Sequence, residues 1–409
     1  HYQTFGMEAY ALVMHLMKCY GMKIPESWKR LMEKQCEFVA CSMVNETKAC
    51  EFGDNDEGKI LDLEGGEICH YRYLLQLCSL LLGKKYESFE HLSETISWLY
   101  SETEIETLKQ LPLWKPSKSR TFKEGGYTFL RSKNGKVVIG IDHAPLGFGS
   151  IAAHGHADAL SFQLYVDGNC ILGDPGTYIY HCNIQKRDEY RRSCNHNTVW
   201  SMNQEQSQMM GAFLWGKKAD TKLLKSDLTE NQDFLLAECV WQNGNKHSRS
   251  FCFNKADKLV IEDDMATTSD SYATLVLHPA CQVKIENGKT VIQRGAITVC
   301  IETNIEPTIE KCWYSEEYGK ENETHKLCYP LNDNKLKKNM LNKNETMKKI
   351  YEQLSRTNLK TSNINKVIKY TNIVTKNWSI LWDYYKNKTF NKLKYKKYIK
   401  SKIAISRIS

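Results

Sequence analysis

No stretch of this 409-residue sequence approaches the ~18 consecutive apolar residues of a membrane-spanning helix, so none is expected. No secretory leader is read within these residues either: helical periodicity starts almost at His1, with no basic segment leading into an apolar one. The expectation is a fragment of a longer chain. The 15 cysteines are an odd number and none pairs as Cys-x-x-Cys, which gives no support to a zinc ribbon, a thioredoxin-type motif or a regular disulfide scaffold. Most of them read as small buried hydrophobes. Positive charge is scarce over most of the length. Residues 331–409 hold 18 Lys and 2 Arg against 2 Asp and 2 Glu, a surplus of 16, and because the whole chain carries +8 the first 330 residues carry −8. A mildly acidic body argues against a nucleic-acid-binding protein. The basic end has no Cys, Gly or Pro and 12 Asn, and reads as a poorly ordered or weakly helical appendage, with polyanion binding at low salt as the second reading.

What is present divides the chain in two before that tail. Residues 1–115 read as helices. Phe5, Ala9, Leu12, Val13, Leu16 and Tyr20 recur at helical spacing before Gly21, and Pro25 opens a helix whose apolar face is Trp28, Leu31, Met32, Val39 and Met43. Tyr71 to Leu82 is apolar nearly all round and ends at Gly83, as a buried helix does. After Pro112 and Pro116 the period changes from helical to alternating. Lys133-Asn134-Gly135, Asp167-Gly168 and Asn287-Gly288 are hairpin turns between short apolar runs, among them Val137–Ile141, Phe162–Val166, Ser248–Phe253 and Leu259–Glu262. Residues 116–330 therefore read as an antiparallel β-sandwich, and the whole as an α+β chain with helices first and strands afterwards.

Residues able to do chemistry concentrate between Gly147 and Ser207. Gly147-Phe148-Gly149-Ser150 leads into His154-Gly155-His156-Ala157-Asp158. Gly173-Asp174-Pro175-Gly176 follows a strand, and after Arg187, Arg191 and Arg192 come His196-Asn197-Thr198-Val199 and Gln206-Ser207. His154 and His156 stand two apart, so an extended backbone points both to one face. Asp174 precedes a Pro-Gly turn that can hold its carboxylate. Two histidines and an aspartate suit a borderline metal such as zinc, and a third histidine is left for proton transfer near neutral pH.

That series resembles the C-terminal sandwich signature of the heparinase II/III family of polysaccharide lyases, over about residues 1–328. Phe52-Gly53-Asp54-Asn55-Asp56-Glu57-Gly58 is similar to an acidic Gly-Asp-x-Asp loop of the family's helical domain, where a solvated turn and not a calcium site is expected. Tyr314-Ser315 and Tyr318-Gly319 resemble the closing strand. The resemblance implies a partial α/α toroid followed by an antiparallel β-sandwich, with substrate between them, in a bacterial enzyme of the periplasm or cell envelope that degrades glycosaminoglycans or related polymers. It implies that His154 is catalytic, that His156, Asp174 and His196 hold a structural zinc, and that Tyr2 protonates the leaving oxygen.

The implied reaction is β-elimination from a uronate-containing glycan. Removing the proton on C5 builds charge next to the uronate carboxylate, so a neutralising group is needed besides a base and an acid. The family's neutralising Asn lies upstream in the toroid and no segment here matches it, so this chain by itself is expected to be a poor catalyst. Arg187, Arg191 and Arg192 are the candidates here for binding an acidic sugar. Two readings compete with the lyase: a non-catalytic carbohydrate-binding protein of the same fold, and a zinc-dependent hydrolase that uses metal-bound water.

Overall fold

The computed structural model describes residues 1–331, apart from 64–68, 117, 257, 267–269 and 287, together with residues 398–408. The helices come first: α1 (Tyr2–Cys19), α2 (Glu26–Ser42), α3 (His70–Leu82), α4 (Glu94–Leu99) and α5 (Glu102–Lys109), with α6 (Ile184–Arg191) later among the strands. Their ends follow local chemistry. The α3 helix stops at Gly83, whose φ of 65° is left-handed and whose N–H reaches Ser79 O. A capping box opens α5, Ser101 Oγ accepting from Glu104 N while the Glu104 carboxylate accepts from Ser101 N. No helix among the described residues is long and apolar enough to cross a membrane.

Two helical faces differ from the sequence expectation. In α1 the buried residues are Thr4, Met7, Glu8, Ala11, Met14 and His15, while Phe5, Val13, Leu16 and Tyr20 are exposed. Most of the apolar stripe read from periodicity therefore faces outward, with Ala9 half-buried and Leu12 packed against the helical core. A helix that is apolar on most sides gives a periodicity argument no means of choosing between its faces. In α2, Met32 and Val39 are buried as expected, but Leu31 is exposed.

The strands, in chain order, are β1 (Arg120–Phe122), β2 (Tyr127–Arg131), β3 (Val137–Asp142), β4 (Phe162–Val166), β5 (Asn169–Leu172), β6 (Val199–Ser201), β7 (Met209–Gly211), β8 (Leu214–Trp215), β9 (Asp220–Leu228), β10 (Gln232–Val240), β11 (Lys246–Asn254), β12 (Lys258–Ala266), β13 (Ser271–Val276), β14 (Gln282–Glu286), β15 (Lys289–Arg294), β16 (Ile297–Glu302), β17 (Thr308–Tyr314), β18 (Asn322–Pro330) and β19 (Tyr398–Ile408). Strands β1 to β5 form a meander. A second sheet runs β14-β15-β16-β19-β12-β11-β10-β9, and a third β17-β18-β13-β6. Every pairing among the described residues is antiparallel. A bridge from Leu172 to Leu277 joins the first sheet to the third. The eight-stranded sheet packs on this joined layer through one apolar core, to which β3 gives Ile139 and Ile141, β10 gives Leu235 and Ala237, and β12 gives Leu259 and Ile261.

The meander strands β3 and β4 are buried along their whole length because their other face is also covered. Phe129, Val138 and Tyr165 on that face meet Phe38, Cys41 and Val44 from α2 and its exit. This third layer brings the helices and the loop after α2 against the sheet whose β3–β4 connection carries His154 and its neighbours.

The hairpin expected at Asp167-Gly168 is present, Val166 facing Asn169. Asn287 lies outside the described residues, but Glu286 and Lys289 on either side of the expected turn pair. The tail differs from expectation at its end. Residues 332–397 lie outside the described residues, yet Tyr398–Ile408 is a strand inside the eight-stranded sheet, between β12 and β16.

Candidate active site and metal centre

The acidic loop after α2 is not a solvated turn. Gly53, at φ +71°, lets its backbone lie against residue 154, where a Cβ would stand 2.5 Å from the His154 carbonyl oxygen. Asp54 N donates to that same oxygen at 3.0 Å, and Asn55 N donates to Thr177 Oγ1 at 2.7 Å. The loop is thus pinned to both the His154 segment and the turn after Asp174, and Asp54 is buried.

Asp54 organises the interior. Arg187 donates both terminal nitrogens to its two oxygens at 2.5 and 2.6 Å. His156 Nε2 lies 2.9 Å from Oδ1 and His154 Nδ1 3.1 Å from Oδ2. Burial by itself would raise the Asp54 carboxyl, but the hydrogen bonds from His154 and His156 and the Arg187 guanidinium outweigh it and hold it well below the usual range. An ionised carboxylate only accepts, so both histidine nitrogens facing it carry protons.

Those protons decide what the remaining nitrogens do. His154, one-third exposed at 33%, has Nδ1–H committed to Asp54 and Nε2 left with a free lone pair. The Tyr2 ring stacks on it, with centroids 3.5 Å apart and planes at 16°. The Tyr2 hydroxyl donates to Asp56 Oδ2 at 2.7 Å, so at 2.9 Å Tyr180 must be the donor to Tyr2. Burial raises the Tyr2 phenol above its ordinary value, Tyr180 opposing this and Asp56 adding to it, so the group holds its proton at neutral pH.

On the far side of Asp54, one ligand atom from each of His156, Asp174 and His196 lies within 4.8 Å of the others. His196 Nδ1 donates to Arg192 O at 2.8 Å, and Asp174 Oδ1 accepts from Gly176 N at 2.9 Å. With His156 Nε2–H given to Asp54, the two inward nitrogens, His156 Nδ1 and His196 Nε2, are lone pairs only 3.2 Å apart. They repel unless a cation or a proton lies between them. Burial lowers both histidines, His196 to about 3, which disfavours the proton. Burial, with Asp158 adding to it, also pushes Asp174 upward, and a positive ion would keep it ionised. The donor set, the outward hydrogen bonds that fix both tautomers and the inward lone pairs all suit zinc.

The structure therefore brings together Tyr2 with His154, and His156 with Asp174 and His196. It does not present the arginines as a sugar-binding set. Arg187 and Arg191 lie on α6 and are fully buried. Arg187 is held by Asp54, and Arg191 donates to Asp188 Oδ1 and Gly211 O, its guanidinium 5.0 Å over Trp215. Only Arg192 is exposed, and its carbonyl serves His196. For Arg187 and Arg191 the reason is burial: a guanidinium taken out of water needs an internal carboxylate and is not free for a ligand, which leaves Arg192 as the exposed member of the three. Asp54, Asp56 and Tyr180 were missed as site residues. The Gly-Asp-x-Asp spacing was the available signal for the first two, since Gly before Asp permits a close backbone approach.

Residues 115–354, more than half of the chain, match the family described as Heparinase II/III-like, C-terminal. No curated protein sequence matches the chain significantly. Among solved structures, a "Heparinase III-BT4657 gene product" superposes with a TM-score of 0.67 at 15% identity, over 100% of this chain and 51% of the other. A heparan sulfate lyase HepC from Pedobacter heparinus gives 0.60 at 16% identity, over 80% of this chain and 49% of that one. A heparinase III gives 0.59 at 14%, over 81% and 50%. These likenesses establish a shared fold, and the chain spans about half the length of each of them.

Proposed function

The chain belongs to the heparinase II/III-like family through its C-terminal domain, and from that membership we propose that it is the C-terminal half of a lyase that cleaves an acidic, uronate-containing glycan by β-elimination. The observation that carries this reading is the stacking of Tyr2 on His154 with Asp54 behind the imidazole. His154 Nε2 takes the proton from C5 and the resulting imidazolium is stabilised by Asp54. The C4–O4 bond breaks, C4 and C5 become doubly bonded, and Tyr2 gives its proton to the departing O4. The phenolate left behind accepts from Tyr180. Because Arg187 is bound to Asp54, the group neutralising the uronate carboxylate comes, in this proposal, from helices beyond the half-length spanned here, with residues 1–115 as the adjoining part of that helical domain.

His156, Asp174 and His196 would hold a zinc ion, which supplies structural cross-linking of the segments around residues 156, 174 and 196. The chain's own contribution is to orient those ligands through Asp54 and the Arg192 carbonyl. A glycosaminoglycan substrate is supported by the heparan sulfate lyase among the similar folds, and the size of such a polymer favours an enzyme that works outside the cytoplasmic membrane.

The test is product formation from heparan sulfate and other uronate glycans by a protein extended to the full length of the similar structures. A lyase leaves a C4–C5 unsaturated end that absorbs in the near ultraviolet. His154→Ala is expected to lower turnover by ~10²–10⁴ while metal content stays constant. New reducing ends without absorbance mean hydrolysis, and binding without any product means a carbohydrate-binding protein. Either result refutes the lyase.

A further inference from the structure

A cavity of about 360 Å³ lies where the two outer strands β1 and β9 approach each other, and its lining includes none of the residues of the Asp54 hub. Thr121 Oγ1 and Ser226 Oγ close one side at 2.8 Å. The size falls within the ~300–1,000 Å³ of small-molecule sites. Charged lining comes from Lys123, Lys222 and Lys225 against Glu124 alone, in a body whose first 330 residues carry −8. Lys225 is occupied by Asp227 at 2.8 Å. Lys123 and Lys222 are exposed and have no carboxylate partner among the described residues. Polar groups stand ready for hydroxyls: Thr221 Oγ1 is buried without a partner, and the outer edge of β9 has no neighbouring strand. His143, whose Nε2 is 3.0 Å from Thr128 Oγ1, lines the cavity as well.

The cavity is tied to the candidate active site by one loop. Pro145 lines it and His154 is nine residues further on, which limits the separation to about 30 Å even for an extended chain. Lys218, just before β9, fixes that loop by donating to Gly149 O and Ser150 O at 3.0 and 2.9 Å.

We propose that this cavity is a second saccharide site, which takes a carboxylate- or sulfate-bearing sugar of the same acidic chain between Lys123 and Lys222. The ligand class rests on the acidic-glycan reading above. A polymer held at both places dissociates more slowly than one held at the cleavage site alone, because rebinding becomes intramolecular.

Lysine acetylation footprinting with mass spectrometry tests this on the whole chain, using a heparan sulfate hexasaccharide and the same saccharide desulfated and carboxyl-reduced. The readout is residue by residue, so binding by the Lys-rich residues 332–397 does not obscure it. Lys123 and Lys222 are expected to be protected by the acidic saccharide, while Lys311, on β17 of the third sheet and outside the cavity lining, is acetylated at its unliganded rate. Lys222→Ala is expected to raise the concentration that half-protects Lys123 by about five- to tenfold, with an unchanged melting temperature because the side chain is exposed. Saccharide binding detected by calorimetry with Lys123 and Lys222 unprotected overturns the second site and leaves the lyase reading standing. Equal protection by the neutral saccharide overturns the anion recognition. Absence of any binding of the acidic saccharide overturns the acidic-glycan reading, and this site with it.

Discussion

Replacing Asp54 with Asn keeps the shape of the hub and removes its charge. Asp54 accepts four side-chain hydrogen bonds, two from Arg187 and one each from His154 and His156. The side chains of Asp54, Arg187 and His156 have no exposed surface, so water cannot take over these contacts. In Asp54→Asn the guanidinium is left buried without a counter-charge, and the new amide turns N–H groups toward donors. Breaking a buried pair from one side costs about 3–5 kcal/mol. For a body of this size that corresponds to a drop of roughly 4–7 °C in melting temperature. The assay is thermal unfolding followed by circular dichroism, backed by urea denaturation, on Asp54→Asn, Arg187→Met and the double variant. The double variant is expected to lose at least about 2 kcal/mol less than the sum of the two, because each single change strands the partner that the other removes. A melting temperature for Asp54→Asn within about 2 °C of the parent would refute the hub, as would strict additivity.

Asp174→Ala is expected to reduce bound zinc, measured by atomic emission, and to lower the melting temperature, since metal binding stabilises only the folded chain; retention of full zinc content counts against the donor set. Acid should weaken the fold through His70 and His143, both lowered by burial from 6.5 to about 4. The unfolded chain takes up these protons near 6.5 and the folded one only near 4, so stability is full above 6.5 and falls toward pH 4, by about 1–2 kcal/mol per histidine at pH 5. Urea midpoints at pH 7 and 5 check this, and an equal or higher midpoint at pH 5 contradicts the sign. Val13→Gln together with Leu16→Gln, on the exposed face of α1, should reduce concentration-dependent light scattering without lowering the melting temperature.

The sandwich was legible because its hairpin turns carry backbone-specific residues. Lys133-Asn134-Gly135 and Asp167-Gly168 leave few alternatives to a reversal, and the short apolar runs beside them then assign β3 and β4. The face of α1 was not legible, since Phe5, Val13 and Leu16 are as apolar as the buried Met7, Ala11 and Met14. For the site, the spacing of His154, His156, Asp174 and His196 was informative because strands and turns fix where such residues point. Asp54 was harder. An acidic loop has the composition of a solvated turn, and only the buried Arg187, 133 positions away, makes it an interior residue. The same contact removed Arg187 from the sugar-binding candidates. Tyr398–Ile408 was hidden by composition: pairing with β12 and β16 settles its state, and a Lys-rich neighbourhood obscures its alternation of Ile403 and Ile405 into the core.

That late strand also governs the order in which the protein is made. Strands β9 to β12 and β14 to β16 leave the ribosome as two separate ladders, whose inner edges, β12 and β16, are still unpaired. The piece that joins them, with Lys402 opposite Glu262 and Ser406 opposite Cys300, is synthesised about a hundred positions later. Closing so long a loop is slow. Until it closes, the edges of β12 and β16 are open to strands of other nascent chains. The time between translation of residue 302 and arrival of residue 398 is therefore when this protein most needs a chaperone.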